Sequence, residues 1–185
     1  MRIITGKLKN RKVFSAVGKT RKATEERVRE ALFNILGDHI AGSTFLDMYA
    51  GTGLVGLEAY SRGALLVTFI ELDKKRFFKL KKNLIELEIP KGAYRIYYGD
   101  SCKKIKKLEH EYDYIYIDPP FYSKLYTHSI DAVIKSSILK NGSIVILERH
   151  RKVSLDDIVG VGERLEKINE KRYGSIVLEF YEYHI

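Results

Sequence analysis

The 185-residue chain is 45% hydrophobic and holds 33 Lys and Arg against 24 Asp and Glu, a formal charge of +9. It is long enough for one substantial core, has no apolar run of membrane-spanning length, and does not open with the layout of a signal peptide. Its single cysteine, Cys102, excludes an internal disulfide framework, and no Cys/His group has metal-ligand spacing, so a cytoplasmic protein without membrane or metal is expected.

The positive charge is concentrated at the start. Residues 1–29 hold ten basic side chains and two acids, whereas the rest of the chain is close to neutral. Arg2-Ile3-Ile4-Thr5 and Lys12-Val13-Phe14-Ser15 are strand-like and flank Gly6–Asn10, which predicts a β-hairpin. A basic arm of this kind is the footprint of a polyanion site, most often nucleic acid. Arg2, Lys7, Lys9, Arg11, Lys12, Arg21 and Lys22 are its candidate contacts.

Thr24 follows as a helix N-cap, with Glu25 and Glu26 in the first turn. Val28, Ala31, Leu32, Ile35 and Leu36 keep helical spacing up to Gly37. Strands and helices then alternate. Strands are expected at 44–49, 66–71, 94–98, 112–117 and 143–147, and helices at 54–62, 74–87, 101–108 and 129–136. The segments 165–172 and 175–183 read as a final antiparallel hairpin. Such alternation predicts an α/β fold with a doubly wound, mostly parallel sheet, whose ligands sit beyond the carboxyl ends of the strands.

Two loops fall at such ends. After the first strand, Asp47-Met48-Tyr49-Ala50-Gly51-Thr52-Gly53-Leu54-Val55-Gly56 contains Gly-x-Gly-x-x-Gly opening a helix. Glu71, ending the next strand with Leu72 beside it, is placed to accept ribose hydroxyls. These features serve NAD or S-adenosylmethionine. Asp47 suits the ammonium of a methionine moiety better than a pyrophosphate, and no second domain is available for a hydride acceptor. Gly56 reads as ordinary helix–sheet packing.

The second loop is Asp118-Pro119-Pro120-Phe121. The prolines end the strand and hold a rigid extended turn. Such a turn can aim the Asp118 carboxylate, the Pro119 carbonyl and the Phe121 ring at one point. Two acceptors beside a π-face suit a planar aromatic amine, with Tyr122 adding to the stack.

Asp47-x-Tyr-Ala-Gly-Thr-Gly53, Glu71, Gly99-Asp100-Ser101 and Asp118-Pro-Pro-Phe121 resemble the motifs of class I S-adenosylmethionine-dependent methyltransferases acting on exocyclic amines. Arg2-Ile3-Ile4-Thr5-Gly6-Lys7 and the stretch from Thr24 through Arg27-Val28-Arg29-Glu30-Ala31-Leu32-Phe33-Asn34 to Leu36 resemble the RsmD family. Its members methylate the 2-amino group of a guanine in small-subunit ribosomal RNA. The resemblance implies a Rossmann-like fold with a C-terminal antiparallel hairpin, an N-terminal hairpin arm (1–22) and a methyltransferase domain (23–185). It implies S-adenosylmethionine as cofactor, held by Thr24, Asp47, Gly51, Gly53, Glu71, Leu72, Asp100 and Ser101. Asp118, Pro119 and Phe121 would be catalytic, and the partner would be small-subunit rRNA or the assembling small subunit, met by a monomer. One departure stands out: the family has Arg-Pro-Thr where this chain has Lys22, Ala23 and Thr24, keeping the charge and losing the proline. An adenine amine methyltransferase, an NAD-dependent oxidoreductase and a non-catalytic RNA-binding protein are the alternatives.

Overall fold

The computed structural model describes residues 1–14, 22–120, 123–153 and 164–185; of residues 22–24 and 123 it describes the backbone alone. Seven strands form one sheet: β1 (Thr44–Asp47), β2 (Leu66–Glu71), β3 (Tyr94–Tyr98), β4 (Tyr112–Ile117), β5 (Leu139–His150), β6 (Leu165–Tyr173) and β7 (Ile176–Tyr183). Their order is β3-β2-β1-β4-β5-β7-β6. The first five run parallel, and β7 joins β5 and β6 antiparallel. The α-helices are α1 (Lys22–Leu36), α2 (Leu54–Ser61), α3 (Lys74–Glu86), α4 (Ser101–Lys104) and α5 (Ser123–Ile134).

Successive strand residues point to opposite faces, so two cores form. Phe45, Val67, Phe69, Tyr114 and Tyr116 lie on the face covered by α1, α2 and α3. Leu46, Ile70, Ile115 and Ile117 lie on the other, under Ile105, Ile130 and Val133. Reversal of strand order happens between β1 and β4, which places the switch point between the two loops singled out above.

The structure shifts several expected boundaries. α1 begins at Lys22, so Thr24 lies inside the first turn instead of capping it. Lys22 and Ala23 are good helix formers and no proline halts the helix there. α5 begins six residues early, because its buried face starts at Tyr126 and continues through Ser129, Ile130 and Val133; the serine interrupts the apolar pattern. β5 runs from 139 to 150 because Leu139 pairs with Tyr112 ahead of a register shift, and β7 extends the far end to His150.

The N-terminal arm is woven into the body. Arg2 and Lys12 form one antiparallel bridge, and Ile3 (1% exposed) and Val13 (3%) belong to the main core. The expected strands reduce to that bridge because the intervening amides turn to α2 instead of across the hairpin. Ile4 N and Thr5 N donate to the two carboxylate oxygens of Glu58 (2.8 and 2.9 Å), and Leu8 N donates to Ser61 Oγ at 2.9 Å. Gly6, at φ +83°, passes so close to α2 that a Cβ would lie 1.9 Å from the Ser61 carbonyl oxygen. Glu58 itself is fully buried and pairs with Arg62 (3.0 Å) and with buried Arg29 (3.5 Å), whose Nη2 donates to Arg2 O.

Candidate active site

The glycine loop is shaped by hydrogen bonds from three strands. Ala50 N donates to Ile70 O, and Gly53 N closes a tight turn on Ala50 O. Gly53, at φ +85°, is the N-cap of α2 and lies against Leu80, where a Cβ would be 2.3 Å from Cδ1. Having no side chain, Gly53 cannot cap the helix itself. Asp47 does so from β1, its Oδ2 accepting from Gly56 N at 3.2 Å. At Gly56 a Cβ would meet Phe69 Cε1 at 2.3 Å, which makes that glycine a packing residue.

Glu71 spans the loop and the next helix, accepting from Gly51 N and Asp73 N, each at 2.6 Å. It is buried, while Leu72 beside it is exposed. Gly99 N donates to Glu71 O, bringing the end of β3 alongside. Asp100 Oδ1 accepts from Lys103 N as the N-cap of α4. Ser101 Oγ donates to Met48 O, which ties α4 to the start of the glycine loop. The Asp47, Gly51, Gly53, Glu71, Asp100 and Ser101 set is thus drawn to one rim of the sheet.

Asp118 follows β4 at the same rim: Tyr116 pairs in register with Asp47. It is half-buried, Pro119 is buried and Pro120 is exposed. Burial, followed by Glu148, Asp47 and Glu25, drives the Asp118 carboxyl well above the usual carboxylate range. Asp47 is pushed up to about 7, chiefly by burial and partly offset by the Gly56 and Tyr49 amides, with Glu71 and Glu148 adding repulsion. Burial also raises Glu148 to about 7, opposed by the hydroxyl that Tyr116 donates and reinforced by Glu25. None of the chief influences on these three groups is a cation. Carboxylates from α1, β1, β4 and β5 therefore share one well of low dielectric without an internal counter-charge. Among the described residues, no group of three or more His, Cys, Asp or Glu is placed to hold a metal ion. A cationic ligand fits such a well; a pyrophosphate does not.

Glu148 was not anticipated. The signal was present, since Ile-Val-Ile-Leu-Glu148 is a third apolar strand ending in a carboxylate, like Leu46-Asp47 and Ile117-Asp118.

The basic arm lies on the α2 and α3 side. Lys7 Nζ is 3.5 Å from the centroid of the Tyr60 ring, and Arg11 Nη2 donates to Glu86 O at 2.8 Å. Arg2, Lys9 and Lys12 are exposed. Arg21, Phe121 and Tyr122 lie outside the described residues, as do the side chains of Lys22 and Thr24. No helix among the described residues is long and apolar enough to cross a membrane.

Residues 1–182 match the family described as conserved hypothetical protein 95. The chain is 37% identical to the ribosomal RNA small subunit methyltransferase D of Buchnera aphidicola over 83% of this chain and 78% of that one. It is 32% identical to the Haemophilus influenzae protein of the same name, over 98% and 93%. The structure of a putative methyltransferase from Escherichia coli superposes with a TM-score of 0.87 at 28% identity, covering 100% and 98%. A β1 glycine loop facing a β4 Asp-Pro-Pro turn, in a sheet of this strand order, thus has its counterpart among these proteins, and the chain belongs to the family that they share, the small-subunit ribosomal RNA methyltransferase D family.

Proposed function

We propose that the protein methylates the exocyclic 2-amino group of a guanine in small-subunit ribosomal RNA, using S-adenosylmethionine, and that it works as a cytoplasmic monomer on the rRNA or the assembling subunit. One observation favours this above the alternatives. Asp118 stands in the same unneutralised carboxylate well as Asp47 and Glu148, a setting suited to a sulfonium and an amine and hostile to NAD.

S-adenosylmethionine supplies a methyl group on a positively charged sulfur. In this reading Asp47, Gly51 and Gly53 hold its amino-acid end, with Thr24 at the border of that pocket. Glu71 and Leu72 face its ribose, and Asp100 and Ser101 the edge of its adenine. Glu71 has lone pairs left after its two backbone bonds, so hydroxyl recognition and loop bracing are compatible.

The amine is a poor nucleophile while its lone pair is spread into the ring. Asp118 and the Pro119 carbonyl each accept one N–H, which turns that lone pair out of the ring plane. Both bonds strengthen as positive charge grows on nitrogen, so they favour the transition state over the ground state. The raised affinity of Asp118 for a proton equips it to hold the one that nitrogen gives up. Phe121 and Tyr122 stack on the base, at about 1–3 kcal/mol for each ring. The arm, residues 1–22, grips phosphates through Arg2, Lys7, Lys9, Arg11, Lys12, Arg21 and Lys22, and residues 23–185 are the catalytic domain.

Nucleoside analysis tests the reading. Small-subunit rRNA incubated with the protein and labelled S-adenosylmethionine should yield N2-methylguanosine. Methylated adenine, or label entering DNA alone, would replace this reading with that of an adenine methyltransferase.

A further inference from the structure

The most strongly charged helix is not in the arm. α3 carries Lys74, Lys75, Arg76, Lys79, Lys81 and Lys82 against Glu86 alone. Its inner side is Leu80, Asn83 and Leu84, which leaves Lys75, Phe78, Lys79 and Lys82 as an outward stripe at i, i+3, i+4 and i+7. Among the described residues Lys82 reaches Glu86 at 3.6 Å, and Lys75 and Lys79 have no ion pair. Phe78, between them, is 55% exposed. A large apolar ring held in water within a field of lysines is otherwise unfavourable, and it gains nothing from the fold's own core.

The arm continues this stripe. Phe14 N donates to Asn83 Oδ1 at 2.9 Å, and Asn83 Nδ2 donates back to Phe14 O at 3.1 Å. Lys82 Nζ lies 4.4 Å from the centroid of the Phe14 ring, and Arg11 bonds the carbonyl of Glu86. Arg11, Lys82, Lys79 and Lys75 therefore follow one another along a thirteen-residue helix, about 20 Å in length at 1.5 Å per residue. At the far end, α3 starts three residues after Glu71, beside the glycine loop.

We propose that the outward face of α3, joined to the arm, is a docking tract for single-stranded rRNA flanking the modified guanine. The lysines follow the phosphates and Phe78 is a stacking platform for one base. Interleaved cations and an exposed aromatic ring match a polyanion with π-faces, which is the chemistry of single-stranded RNA. This inference rests on the rRNA methyltransferase reading.

The test compares Lys75→Ala/Lys79→Ala with Lys106→Ala/Lys171→Ala, which removes equal charge from exposed positions elsewhere, and adds Phe78→Ala. The probe is in vitro transcribed small-subunit rRNA, read by binding at several salt concentrations and by labelled methyl transfer. The first pair should lower the salt slope by about 1.4–1.8, at 0.7–0.9 for each lost phosphate contact. It should raise the KM for RNA at least tenfold while leaving kcat and S-adenosylmethionine affinity unchanged. Phe78→Ala should raise KM about fivefold or more at an unchanged salt slope. Equal losses in both lysine pairs, or none in either, would overturn the tract. So would a loss seen with subunit particles but not with naked RNA, which would mark a protein partner instead. Absence of methyl transfer by the unaltered protein would refute the enzymatic reading, and the binding slopes would still decide the tract.

Discussion

The acidic rim and the basic flank of this molecule use charge in opposite ways. At the rim, Asp47, Asp118 and Glu148 come from three adjacent strand ends into a site of low dielectric, and each has its pKa raised because the others are there. On the flank, Lys9, Lys12, Lys75 and Lys79 stand in water, where neighbouring like charges are screened. The net charge of +9 describes only the flank. A formal total conceals an anionic crater inside a cationic shell, and the two attract different parts of one reaction: a cationic cofactor within and a polyanionic substrate outside.

The harshest test of the rim is Asp118→Ala. Turnover should fall by a thousandfold or more, about 4 kcal/mol of transition-state stabilisation, while S-adenosylmethionine affinity changes by less than fivefold. Single-turnover methyl transfer and calorimetry separate the two; strong residual turnover would remove Asp118 from catalysis.

A second test asks whether the flank depends on a buried charge of its own. Glu58→Ala leaves Arg29 buried without its partner and strands two arm amides, so stability should fall by about 3–5 kcal/mol. Denaturant unfolding measures this, and a loss below 1 kcal/mol would show that the arm is not anchored through Glu58.

pH sharpens the contrast further. Asp47 and Glu148, near 7 in the free protein, are partly protonated at neutral pH. A bound cation favours their charged forms and lowers their pKa values, so binding releases protons and affinity rises with pH. Between pH 6 and 8 the gain should approach tenfold per unit for each proton released. Calorimetry in buffers of different ionisation enthalpy reads the proton count; uptake, or none, would contradict the shared well. The smallest effect belongs to Lys9→Ala/Lys12→Ala, for which RNA affinity should drop severalfold with no change in thermal stability, as judged by filter binding and melting curves.

Much of the frame was legible from the chain. β2, β3 and β4 have the expected bounds because apolar runs there end against Glu71, Gly99 and Asp118-Pro119, signals that act locally. β5 was read too short because Lys140-Asn141-Gly142 resembles a turn, and only pairing with its neighbours carries the strand through it. At the site, the glycine loop, Glu71 and Asp118 announce themselves by spacing. Glu148 does not, since one acid at a strand end becomes informative only when two more converge on it. Glu58 was hidden for a related reason: a carboxylate on a helix reads as solvated until another segment is known to cover it.

Gly6 shows what that covering segment demands. No side chain can be added where its backbone grazes the Ser61 carbonyl, whereas Lys9 and Lys12, a few residues away, touch nothing that constrains them. In a saturation scan the first fourteen positions would alternate between rigid intolerance and near-complete freedom. Evolution could then retune substrate preference here only one exposed letter at a time, never by exchanging the whole leader for another.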